Sequence, residues 1–133
     1  MSAQYDLLER APTLAEYTRM TLAVGWESFT NFAAVELALK NSLYHVIAYD
    51  HGEIVGMARV VGDGAMFYYI QDVAVVPDQR GRGLGQLLMN QIMAYLRANA
   101  PARAFIGLFA TEGHDNFYRY YGFEQSPELT GMY

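Results

Sequence analysis

The chain is 133 residues long, 53% hydrophobic and 17% charged, with no cysteine and a formal net charge of −5. Such a composition can bury a core, and the length fits one domain over residues 1–133, so a disordered chain is excluded. The acidic balance argues against a nucleic-acid partner, the missing cysteine excludes disulfides and a thiol nucleophile, and no apolar run nears the roughly 20 residues that span a bilayer.

The first residues lack the basic-then-apolar order of a signal peptide, so a soluble cytoplasmic protein is expected. Gln4 to Glu9 reads as a short first strand. Thr13 and Glu16 have capping-box spacing ahead of Leu14, Tyr17, Met20, Thr21 and Val24, which fall near one face of a helix that Gly25 ends. A second short helix is expected from Asn31 to Leu39. The runs Leu43 to Tyr49 and Ile54 to Val61 are rich in strand formers and flank a turn at Asp50-His51-Gly52-Glu53, so they read as a hairpin. Met66 to Val76 is an almost unbroken apolar strand, of the kind buried on both faces, and Pro77 stops it. A glycine-rich turn, Gly81 to Gly85, leads into an amphipathic helix from Leu84 to about Asn99. Ala104 to Ala110 reads as a strand and Gly113 to Tyr121 as a short helix. A last strand or extended tail begins at Phe123. The predicted order is β-α-α-β-β-β-α-β-α-β, an α/β domain with a mixed sheet.

The chemistry concentrates where the buried strand meets the glycine turn. Gly81, Gly83 and Gly85 alternate, and Arg80 and Arg82 stand between and before them. Glycines admit positive φ and close approach of a ligand, and a new helix offers unpaired N–H groups at the positive end of its dipole. Together they make an anion site, most simply for phosphate or pyrophosphate. The G-x-x-x-x-G-K-[ST] pattern of a triphosphatase is absent, and Gln86 stands where a dinucleotide-binding loop needs its third glycine. His45, His51 and His114 are scattered and lack metal-ligand spacing, so no metal is expected.

Arg80-x-x-Gly83-x-Gly85 resembles the [QR]-x-x-G-x-[GA] acetyl-CoA motif of the GCN5-related N-acetyltransferases. Asp72-Val73-Ala74-Val75-Val76-Pro77 is similar to that family's fourth strand, and Phe117-Tyr118-Arg119-Tyr120-Tyr121-Gly122-Phe123 to its late L-Y-x-x-x-G-F element. Leu108-Phe109-Ala110 with Gly131-Met132-Tyr133 is similar to a subgroup that includes plastid serotonin N-acetyltransferases.

The resemblance implies the family's fold, with the fourth strand bulged and splayed from the fifth. It implies that Val73, Ala74 and Val75 pair with the pantetheine arm of acetyl-CoA, and that the Val75 N–H polarises the thioester carbonyl. Arg80, Gly81, Arg82, Gly83, Leu84, Gly85 and Gln86 would hold the pyrophosphate. Tyr118 falls where the family has its general acid, beside the sulfur. Thr111 stands where many members carry a pantetheine-binding Asn, and Asn116 is the nearest substitute. Two roles are open to Asp72, the only acid in its apolar run: a general base raised by desolvation, or a structural carboxylate. A water chain is the other route for the amine's proton. The first two helices and their loop form much of the family's acceptor wall. Trp26, Glu27 and Phe29 lie there, Trp26 to stack on a flat or cationic acceptor and Glu27 to draw an ammonium, unless the segment is a hydrophobic plug. Tyr133 at the chain end is a further candidate for the pocket.

The implied reaction is direct transfer of an acetyl group from acetyl-CoA to a primary amine, first of all a small-molecule amine. The alternatives are acetylation of lysine or N-terminal amines in proteins and peptides, or an acyl-CoA-binding module without catalysis. Family members often form homodimers, so a dimer is expected as well.

Overall fold

The computed structural model describes residues 4–133. Its elements are β1 (Asp6–Leu8), α1 (Leu14–Val24), α2 (Val35–Lys40), β2 (Tyr44–Asp50), β3 (Glu53–Gly62), β4 (Phe67–Val75), α3 (Leu84–Asn99), β5 (Phe105–Leu108) and α4 (Asp115–Arg119), with single 3-10 turns at Glu27–Phe29, Phe32–Ala34 and Pro77–Gln79. The strands form one sheet in the order β1-β2-β3-β4-β5. Neighbours are antiparallel except β4 and β5, which run parallel.

Local sequence accounts for the first helix. The Glu16 N–H donates to Thr13 Oγ1 at 3.1 Å, and the Thr13 N–H donates to Glu16 Oε1 at 2.8 Å. Gly25 takes φ 79° and closes the helix, its N–H reaching the Leu22 carbonyl. Losing such an N-cap costs about 1 kcal/mol. Tyr17, Met20 and Thr21 form the face turned to the core.

The long helix α3 covers the opposite face of the sheet with Leu84, Leu88, Met89, Ile92 and Leu96, all buried. Burying each such side chain contributes about 2 kcal/mol. Gly56 of β3 makes room for it, because a Cβ there would stand 3.1 Å from both Leu84 and Leu88.

Three expected elements differ from the structure. The second helix begins later than Asn31, because the chain first makes a 3-10 turn at Phe32–Ala34 and no side chain caps the segment. The strand from Met66 to Val76 is not buried on both faces: Tyr68, Ile70 and Ala74 are buried, while Tyr69, Gln71, Asp72, Val73 and Val75 are half-buried. α1 covers that second face only in part, Tyr17 reaching Asp72, and the rest opens onto a cavity. The segment from Phe123 onward forms no strand, leaving the tail alternative. Pro127 has no N–H for a ladder and Gly131 no side chain to pack in one. Gly131 instead lies hard against the Phe109 ring.

The sheet carries one irregularity that matters for the site. Gly56 pairs with Val75 and Met57 with Ala74, but the next registered pair is Arg59 with Gln71. Thus β4 carries one more residue than β3 over this step, a bulge at Asp72 and Val73. Pairing of β4 with β5 runs from Phe67 and Phe105 to Ile70 and Leu108, where β5 ends. Beyond Ile70, β4 therefore has β3 on one side and no strand on the other.

Candidate active site

Backbone alternation settles which way the end of β4 points. The Val76 N–H donates to the Val55 carbonyl at 2.9 Å. In an antiparallel ladder the adjacent residue then turns its own N–H and carbonyl away from that partner. The Val75 N–H accordingly faces the open side, past the end of β5. Arg80 folds back beneath it, its Nε donating to the Val75 carbonyl at 3.2 Å. The start of the loop is tied down by Gln79, which accepts from the Tyr5 hydroxyl at 2.6 Å and donates to Asp50 Oδ2 at 3.0 Å.

The glycines of the loop act for two different reasons. Gly81 and Gly83 take φ 80° and 84°, and a Cβ on either would meet nothing within 4 Å. They serve the backbone path and leave the space above it open. Gly85 has no such φ; a Cβ there would touch the Phe117 ring at 3.4 Å, so it serves packing. Gly83 is the N-cap of the 16-residue α3 and supplies no capping side chain. The first N–H groups of that helix, at Leu84, Gly85 and Gln86, thus stay available at the positive end of its dipole. Arg82 is exposed beside them. The Tyr121 hydroxyl, 3.4 Å from the Gln86 carbonyl, joins this corner to the segment after α4.

Next to the open side of β4 lies a cavity of about 420 Å³. Its walls include Trp26, Phe29, Phe109 and Tyr118, with Arg59, Gln71, Asp72 and Val73 along β3 and β4. Trp26 is held in the turn after α1 by a bond from its N–H to the Thr21 carbonyl at 2.8 Å, and its own carbonyl accepts from the Thr30 hydroxyl at 2.9 Å.

Tyr118 is half-buried on α4, edge-on to Phe117 with ring centroids 5.0 Å apart. Burial pushes its phenol above the ordinary value of 10.0. A phenol so placed stays protonated at neutral pH and is a proton donor, not an acceptor.

Asp72 is not the isolated acid that its apolar run suggests. Its Oδ2 accepts from Arg59 Nε at 2.7 Å and from the Tyr17 hydroxyl at 2.7 Å. Arg59 in turn donates through Nη1 to Ser42 Oγ at 2.8 Å. The Arg59 and Asp72 side chains are only 17% and 16% exposed. Removing one member of a pair this buried costs about 3 kcal/mol, because the other charge is left without a partner. The Tyr17 phenol is driven strongly upward by burial first and by the Asp72 carboxylate second. Neither Arg59 nor Tyr17 stands out as a site residue from the sequence patterns. The signal that could have found the pair is that Arg59 is the lone charge inside the strand from Ile54 to Val61, just as Asp72 is in the next one.

Three expected site residues stand elsewhere. Glu27 is exposed and does not line the cavity, because the 3-10 turn that brings Trp26 and Phe29 to the wall rotates Glu27 outward. Asn116 accepts from Arg119 Nη1 at 3.1 Å along its own helix face, and it is Thr111 that lines the cavity. Tyr133 is fully exposed and forms none of the walls. Among the described residues no group of three His, Asp or Glu side chains could hold a metal ion, and no helix is long and apolar enough to cross a membrane.

Comparison with known proteins identifies the family. A family model described as an acetyltransferase (GNAT) domain matches residues 41–125, more than half of the chain. The chain is 35% identical over 122 residues to a histone acetyltransferase of Glycine max, covering 83% of this chain and 52% of that protein. It is 37% identical over 82 residues to a chloroplastic serotonin N-acetyltransferase of Oryza sativa subsp. japonica, covering 61% of this chain and 40% of that protein. A crystal structure from methicillin-resistant Staphylococcus aureus, described as a probable acetyltransferase of unknown function, superposes with a TM-score of 0.90 at 31% identity and 97% coverage of both chains.

Proposed function

The chain belongs to the GNAT acetyltransferase family, and from that premise we propose that it moves an acetyl group from acetyl-CoA directly to a primary amine of a small molecule. The observation that carries this reading is the meeting of three features at one place: the open edge of β4, the uncapped start of α3, and the aromatic cavity with Tyr118 on its wall.

The residues fit the donor. The N–H groups of Leu84, Gly85 and Gln86 and the open turn at Gly81 and Gly83 match a pyrophosphate, with Arg82 adding charge from the side. Arg80 contributes by bracing the end of β4 through the Val75 carbonyl. Val73 and Val75 offer the pantetheine arm an edge to pair with. The outward N–H of Val75 stabilises charge on the thioester oxygen during attack. Tyr118 then delivers its proton to the departing thiolate, burial keeping the phenol in its acid form until that step.

The same walls describe the acceptor. A cavity of about 420 Å³ lies within the range of small-molecule sites. Trp26, Phe29 and Phe109 offer flat apolar surface, and Asp72, the acid on the walls, already carries Arg59 as its counter-charge. That combination favours an amine with one aromatic ring over a polyamine. With Asp72 held in this way, the amine's proton leaves through water.

A second reading, acetylation of a protein amine, is favoured by the relative that acts on histones. One experiment separates the two. Incubate the protein with acetyl-CoA and a panel of arylalkylamines, polyamines and lysine peptides, and follow release of the CoA thiol. Turnover confined to peptides replaces the small-amine reading. Acetyl-CoA binding without release for any acceptor leaves a binding module.

A further inference from the structure

Among the described residues, three besides glycine adopt left-handed backbone: His51 at φ 52°, Asp72 at φ 56° and Arg103 at φ 66°. His51 and Arg103 sit in exposed turns, where such a conformation is commonplace. Asp72 lies inside a strand, at the bulge where β4 parts from β5. Left-handed backbone at a residue with a Cβ is unfavourable and persists where its surroundings over-determine it. Here the surroundings are two donors on one oxygen. Arg59 reaches Asp72 from β3 and Tyr17 from α1, each at 2.7 Å, and Ser42 fixes Arg59 from behind at 2.8 Å.

We infer that Arg59 and Tyr17 are positioning residues for the acyl donor: by gripping Asp72 Oδ2 they hold the β4 bulge in its left-handed state and so keep the Val73–Val75 edge turned outward. The extra residue at the bulge shifts the register by one, and that shift points the Val75 N–H to the open side. Without the grip, Asp72 relaxes toward ordinary strand geometry and the outward edge loses its definition. The role in donor binding rests on the acetyl-CoA reading; the role in holding the bulge does not.

The test uses Arg59→Met, Tyr17→Phe and the double variant Arg59→Met/Asp72→Gly. Glycine takes the left-handed backbone unaided and also removes the orphaned carboxylate. Amide hydrogen exchange is measured first, with no ligand. In Arg59→Met, exchange at residues 71–75 is expected to rise about tenfold while Val46 and Val60 stay unchanged, and the double variant is expected to return it toward wild type. CoA affinity is measured next. Arg59→Met is expected to weaken it about tenfold, Tyr17→Phe about threefold, and the double variant to recover to within about threefold of wild type. A purely stabilising ion pair predicts equal recovery in Arg59→Met/Asp72→Ala, which also removes the orphaned carboxylate but lacks glycine's ease in left-handed backbone, whereas the grip predicts recovery in the glycine variant alone. Wild-type exchange and affinity in Arg59→Met overturn the inference, as does a glycine double variant as weak as Arg59→Met. Should Arg59→Met fail to fold, Tyr17→Phe and the double variant carry the same comparison, and unchanged exchange at 71–75 in Tyr17→Phe then overturns it. If the wild-type chain does not bind CoA, the donor reading falls, while the exchange data still decide the grip.

Discussion

The two halves of the proposed active site, one for the acetyl donor and one for the amine acceptor, are built from different material. On the donor side, from Val73 to Gln86, the working groups are backbone N–H atoms, presented by a bulged strand edge and an uncapped helix start. On the acceptor side the working groups are side chains, Trp26, Phe29, Phe109 and Tyr118, gathered from three separate segments. Backbone groups are the same for any sequence that adopts the path, so the donor side suits a shared co-substrate. Side chains change with every substitution, so on the proposed reading specificity belongs to the acceptor side.

That contrast makes graded predictions. The largest effect belongs to Gly83→Asp, which puts a strained residue and a negative charge at the start of α3; CoA affinity measured by calorimetry is expected to fall more than about 100-fold. Near-normal CoA affinity would break the donor half of the comparison. Tyr118→Phe comes next, with kcat expected to drop about 100-fold while CoA affinity stays within about twofold. Because burial raises the Tyr118 phenol above 10.0, the acid form persists as pH rises through that value, so the alkaline limb of kcat is expected above pH 10.0. A limb set by a free phenol, or no change in Tyr118→Phe, would remove the general-acid role. Trp26→Ala is expected to raise the acceptor KM about tenfold and leave the acetyl-CoA KM unchanged, the split that defines an acceptor wall. If both constants move together, the two halves are not separable. The smallest effect is expected for Glu27→Gln, within about twofold in every kinetic constant, since an exposed charge outside the cavity is largely screened.

The donor side is largely legible in the sequence. Alternating glycines ahead of a periodic helix imply a backbone path, and the path implies the N–H groups; the family expected from Arg80-x-x-Gly83-x-Gly85 is the family found. The capping box at Thr13 and the hairpin around His51-Gly52 are equally local, and both are present in the fold. The acceptor side is legible only in part. Trp26 and Phe29 do reach the cavity, but Glu27 between them does not, because a single 3-10 turn sends neighbouring side chains in different directions. On α4, Asn116, a candidate for the donor, pairs with Arg119 at the surface while Phe117 and Tyr118 turn inward, because neighbouring helical positions point about 100° apart.

Asp72 shows where the division falls. Its charge and its place in an apolar strand mark it as unusual, and this is a property of the sequence alone. Its partners, Arg59 and Tyr17, lie 13 and 55 residues away, and only the pairing of β3 with β4 and the packing of α1 on the sheet bring them to one oxygen atom. The sequence by itself determined most of the elements, their order along the chain and the glycine loop, because hydrogen bonding and periodicity act over a few residues. The tertiary structure decided which charges meet, which aromatics share a cavity and which way the Val75 N–H points, because those depend on distances between segments that no local pattern encodes.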